Sequence, residues 1–131
     1  MMEKKFILLL TGLKGYKVLD LLVHKSRFKK NIELVVSERE NGVRKDFFED
    51  IKILCKTNRI EFTSKRDFNY SVLSNSNYFA FCIGWKWIIE ETRNLFVLHD
   101  SILPKYRGFI PTVNMLINGE KKLGVTAIKP V

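Results

Sequence analysis

The chain has 131 residues, 46% of them apolar, a size for one compact domain with a real core, which excludes a wholly disordered chain. Two cysteines exclude a disulfide scaffold, and Cys55 and Cys82 lie in apolar settings as buried thiols of a reducing compartment. Of the net charge of +9, the first 30 residues carry +6, so the excess is concentrated at the front. It includes Lys4, Lys5, Lys14 and Lys17 and the cluster Lys25, Arg27, Lys29, Lys30. Such a patch can attract phosphates, or it can be a solvated helix end followed by a loop. The early apolar run Phe6 to Leu10 is too short to span a bilayer and lacks the features of a signal peptide. A cytoplasmic protein with no membrane contact is expected.

Residues 5–11 form a near-continuous apolar run that suits a strand buried on both faces. Gly12 and Gly15 make a turn, and a helix follows with Val18, Leu21 and Leu22 at helical spacing. Residues 32–37 read as a second strand and residues 44–58 as a helix with Phe47, Phe48, Ile51, Leu54 and Cys55 on one face. A third strand is expected at 60–63, a short helix near Tyr70 to Leu73, and a fourth strand at 78–83 ended by Gly84. A short helix around Trp87 to Thr92 leads to a fifth strand at Leu95–His99. A loop runs from Ser101 to Gly108, a helix from Pro111 to about Ile117, and a last strand from Gly124 to Ile128. Alternating strands and helices predict an α/β fold with a mostly parallel sheet.

In open sheets of this kind, sites lie beyond the carboxyl ends of the strands. Gly12, the segment Gly84–Trp87 and His99 all fall there. The turn at Gly12–Gly15 resembles half of a dinucleotide fingerprint but lacks its third glycine, and it equally suits a tight turn with close helix–strand contact. His24 lies in the first helix and reads as a helix-end residue. Widely spaced histidines and cysteines make no metal site. His99 ends a buried strand ahead of a Pro-stiffened loop, where an imidazole can move protons or stabilise an oxyanion. A structural histidine is the other reading.

From His99 the sequence His-Asp-Ser-Ile-Leu-Pro-Lys-Tyr-Arg-Gly, ending at Gly108, resembles the histidine-centred signature of the folate-dependent formyltransferases. Pro111, Ile117–Glu120 and Gly124–Thr126 follow in that family's order, and Gly84–Ile89 is similar to its glycine-aromatic loop. The resemblance implies a Rossmann-like three-layer sandwich of the formyltransferase type, with residues 1–131 forming part of the N-terminal catalytic domain. It implies formyl transfer from 10-formyltetrahydrofolate to an amine, with His99 catalytic. Gly84, Trp85, Lys86, Trp87, Ile88 and Ile89 would line the folate pocket, and Gly12, Ser101, Tyr106, Arg107 and Gly108 would meet the acceptor. Trp85 and Trp87 can alternatively pack a short helix onto the core.

The family's catalytic Asn corresponds here to Val97, which has no hydrogen-bond donor, and its catalytic Asp falls past Val131. Asp100 would point away from His99 on a continuing strand and is no substitute. The resemblance thus implies a domain incomplete at its C-terminus. A nucleotide-linked amino sugar or another small amine is the expected acceptor. Methionyl-tRNA and a catalytically inactive binding module are the alternatives, and oligomeric state stays open.

Overall fold

The computed structural model describes residues 3–99, 119 and 125–130. Its centre is a six-stranded sheet: β1 (Lys5–Leu10), β2 (Ile32–Ser37), β3 (Phe62–Ser64), β4 (Tyr78–Ile83), β5 (Leu95–His99) and β6 (Thr126–Ile128). The spatial order is β3-β2-β1-β4-β5-β6. The first five strands are parallel and β6 runs antiparallel to β5. The mostly parallel α/β architecture expected from the apolar pattern is the one observed.

β1 is central because every side chain from Ile7 to Leu10 is apolar, so neither face can meet water. All four are buried, and they alternate between two cores. Leu8 and Leu10 join Leu19 and Val23 of α1 (Gly12–Lys25) and Ile51 and Cys55 of α2 (Phe48–Thr57). Ile7 and Leu9 join Phe68, Leu73, Ala80, Cys82 and Leu95 on the other face. Both α-helices therefore cover one face. Among the described residues the opposite face is covered by the segment around Phe68 and a 3-10 helix, Tyr70–Ser74.

Several expected boundaries shift. The first helix begins at Gly12 itself, because the Gly15 N–H donates to the Thr11 carbonyl at 3.2 Å and closes its first turn. Gly15 sits where α1 comes closest to β1: a Cβ there would lie 3.0 Å from Leu10 Cβ and 3.2 Å from its carbonyl carbon. The second helix begins at Phe48, not residue 44, because Phe47 takes a left-handed conformation (φ 61°) that puts its ring on Tyr16 at 5.8 Å. Asp46 then accepts from the Phe48 N–H at 3.0 Å. β3 starts later than residue 60, since Ile60 closes the end of α2 by donating to Cys55 O. Trp87 to Thr92 form no helix. Trp85 and Ile89 are drawn onto the core, Ile88 is left 93% exposed, and a β-branched pair favours helix poorly. The expected helix from Pro111 lies outside the described residues, as does the loop from Ser101 to Gly108. No helix among the described residues is long and apolar enough to cross a membrane.

Cys55 and Cys82 are buried free thiols, and burial pushes both up to about 12. Both thiols therefore stay protonated at neutral and mildly alkaline pH. Neither cysteine should react with a disulfide reagent in native buffer, and both should react in denaturant. Gly15→Ala should destabilise the chain by about 1 kcal/mol, read from the urea midpoint. Overpacking against the β1 backbone, at about 1–3 kcal/mol, outweighs a helix-propensity gain of about 1 kcal/mol.

Candidate functional site

The strand order reverses between β1 and β4, and the chain leaves these two strands at Thr11 and Gly84. In open sheets of this kind ligands bind outside the carboxyl edge at such a reversal. Leu10 pairs with Ile83, and the Thr11 N–H donates to Ile83 O at 3.2 Å. The Thr11 hydroxyl then donates to Gly84 O at 2.5 Å. Gly84 has φ +73°, and a Cβ there would lie 2.5 Å from Thr11 O. Only glycine fits both the conformation and the contact. β5 pairs with β4 through Cys82 and Val97, so the same register carried two residues on sets Gly84 opposite His99. Gly12, Gly84 and His99 thus share one edge of the sheet.

Strand alternation puts His99 on the same face as Leu95 and Val97, the face that also carries Trp85 and Ile89. His99 is partly buried and pairs in register with Thr126 of β6. Val97 packs into the core beneath it and offers no donor.

The loop after Gly84 divides between two tasks. Trp85 and Ile89 pack on the core, and the Trp85 Nε1 is buried without a hydrogen-bond partner among the described residues. Trp87 meets Trp85 edge-on at 5.0 Å and carries Lys65 5.5 Å from its ring centre. The packing reading therefore holds for Trp85, although without the short helix. Ile88 and Ile89 instead line a cavity of about 420 Å3 together with Tyr70, Ser71, Glu90 and Glu91. Burial holds the Tyr70 phenol above its usual range, with Cys82 and Glu38 adding to the effect, so it remains a donor at neutral pH.

Lys86 points the other way and forms an ion pair with Glu40, in the loop after β2. The Glu40 side chain is only 5% exposed, and its Oε1 lies 3.6 Å from where a Gly12 Cβ would be. Sequence reading missed Glu40. Its one signal was a carboxylate in a charged loop following a strand that ends at this edge. It places negative charge beside the N-terminus of α1, whose own first turn holds no acidic residue. His24, read as a helix-end residue, is in the last turn of α1 and pairs with Asp20 at 3.0 Å. Ser101, Tyr106, Arg107 and Gly108 lie outside the described residues.

No family model matches the chain. It is 64% identical over 31 residues to a methionyl-tRNA formyltransferase of Campylobacter curvus, a stretch covering 24% of this chain and 10% of that protein. A phosphoribosylglycinamide formyltransferase from Anaplasma phagocytophilum superposes with a TM-score of 0.70 at 17% identity, covering 98% of this chain and 65% of that one. An N-formyltransferase from Helicobacter canadensis, solved with folinic acid and dTDP-3-aminofucose, superposes with a TM-score of 0.64 at 18% identity. There the match covers 98% of this chain and 47% of the other. The matched stretch is thus about a tenth of the Campylobacter protein, and the chain spans less than two thirds of either structure. The structures share the fold, and the local identity falls on a protein of the same activity class. The chain thus has the fold of the formyltransferases and is similar over a short stretch to a methionyl-tRNA formyltransferase.

Proposed function

We propose that the chain carries the donor side and the proton-handling histidine of a transferase that moves a formyl group from 10-formyltetrahydrofolate to the amine of a nucleotide-linked amino sugar or another small amine. The observation that carries this reading is the convergence of Gly12, Gly84 and His99 on one edge of a formyltransferase-type sheet. The folate donor supplies a formyl group already activated as an amide. Ile88, Ile89 and Tyr70 offer a flat heterocycle an apolar wall, and the Glu90 and Glu91 carboxylates beside it can accept from N–H groups on its edge.

In the transfer, the acceptor nitrogen forms a bond to the formyl carbon and the bond to the donor nitrogen breaks. One proton must pass from the incoming nitrogen to the leaving one. His99 moves that proton and donates to the developing oxyanion. Val97 supplies no second donor, and a missing oxyanion donor costs about 2.7–4 kcal/mol of transition-state stabilisation. Glu40, beside Gly12, is offset by its ion pair with Lys86, so this corner presents a paired carboxylate and ammonium to the acceptor.

A second reading rests on the local identity to a methionyl-tRNA formyltransferase, which makes a tRNA-borne amine the rival acceptor. A third rests on Val97: the pocket binds folate without turnover. Trp85 packs on the core and Lys86 pairs with Glu40, so of the loop that the resemblance assigns to folate this reading keeps Ile88 and Ile89 as the pocket wall, with Trp87 beside them. Gly12, and Ser101, Tyr106, Arg107 and Gly108 in the signature, are proposed to meet the acceptor, as the resemblance implies.

Tetrahydrofolate release, followed across a panel of dTDP-amino sugar, methionyl-tRNA and simple amines, tests these readings. Turnover should be highest with the amino sugar, and His99→Ala should lower it by about 100-fold or more. Full activity in that variant would remove His99 from the mechanism. Folinic acid should quench the tryptophan emission, because Trp85 and Trp87 lie in the loop bordering the cavity. An unchanged spectrum at saturating ligand would count against a folate site there.

A further inference from the structure

A second cavity, of about 470 Å3, lies at the opposite end of the sheet from His99 and Gly84. It opens where β2 begins and where the chain turns from α2 toward β3. Arg27, Lys29, Lys30 and Arg59 line it, over the buried side chains of Ile32 and Ile60. Among the described residues, no acidic side chain contributes to its wall. Lys30 lies 3.7 Å from the exposed Glu3 carboxylate. Among the described residues, Arg27, Lys29 and Arg59 have no carboxylate partner. The Arg27 guanidinium lies over the Phe28 ring at 5.2 Å.

The backbone at Arg59 adds an independent observation. Helix α2 ends with the Ile60 N–H donating to Cys55 O at 2.9 Å and the Arg59 N–H donating to Lys56 O at 3.3 Å. This closure puts the residue after the C-cap in the left-handed region, where glycine is the usual occupant. Arg59 holds that place with φ +57°. A long cation thus stands where the fold itself would prefer no side chain, and that cation reaches the cavity. Strain of this kind is tolerated where the side chain has work to do.

We propose that this cavity binds phosphate groups, with Arg27, Lys29 and Arg59 as the chief contacts and Lys30 at its rim. Concave shape matters here. Four cations converging on one hollow with no interleaved carboxylates hold an anion from several sides, which scattered surface lysines cannot do. The site is separate from the proposed transfer edge and does not depend on it. Its phosphates can come from a small diphosphate or from an RNA backbone, and two probes separate these sources.

Binding of the full chain to pyrophosphate, by calorimetry, and to a short labelled RNA, by anisotropy, provides the test. The combined variant Arg27→Ala, Lys29→Ala, Arg59→Gly should weaken binding by about tenfold or more at low salt. A control that removes three exposed cations elsewhere, Lys17→Ala, Lys52→Ala, Arg66→Ala, should stay within about twofold of the parent. Arg59→Gly alone should weaken binding while keeping or raising the melting temperature, which separates a ligand role from a structural one. Saturable binding of pyrophosphate supports the phosphate itself as ligand, and binding of RNA alone supports a polymeric source. The absence of saturable binding to either probe, or an equal loss in the control, would overturn the proposal.

Discussion

The join between Thr11 and Gly84 governs the arrangement of everything at the carboxyl edge. Two strands part there, and their backbones stay in contact for one residue beyond the sheet. The Thr11 hydroxyl is buried and finds its acceptor in the Gly84 carbonyl. A buried hydroxyl without a partner would be costly, so this hydrogen bond fixes where each chain can turn. From that point α1 departs toward one face, and the Trp85–Ile89 loop departs across the other.

Electrostatics then sets the character of this edge. Glu40 is nearly buried, and a buried carboxylate requires a partner. It has Lys86, and through that pair the loop after β2 is tied to the loop after β4. The same carboxylate lies beside Gly12, at a helix start that would otherwise attract anions. A place that looks from the glycines alone like a phosphate cradle is thus already occupied by the Glu40–Lys86 ion pair. At the other end of the sheet cations gather, and among the described residues the acid that meets them is the exposed Glu3 beside Lys30. The charge excess noted in the first 30 residues belongs in part to that end, through Arg27, Lys29 and Lys30.

β1, β2, β4 and β5 were legible because burial on both faces leaves a strand few polar residues. Tyr78–Ile83 and Leu95–His99 match their expected bounds for that reason. Helix starts were less legible, since they depend on backbone choices made for tertiary reasons. Phe47 gives up a helical turn to stack on Tyr16, and Gly12 and Gly15 serve as helix rather than turn because α1 lies so close to Leu10. The loop after Gly84 was read as helical from composition. In the fold its side chains are claimed one by one, by the core, by Glu40 and by solvent. Gly12, Gly84 and His99 could be placed together because strand ends are easy to find in sequence. Glu40 could not, because its partner is Lys86, a residue of another loop.

The central place of β1 also has a consequence for how the chain acquires its structure. β1 can pair with β2 early, once α1 has formed, and β3 can join β2 soon after. Its other edge must wait for β4, which is made only after β2, α2, β3 and the 3-10 helix. During that interval the most apolar strand of the chain has one unpaired edge. Parallel pairing across such a sequence separation is slow, and an exposed apolar edge is a template for association with another chain. Insertion of β4, joined to β1 through the Thr11–Gly84 contact, covers that second edge.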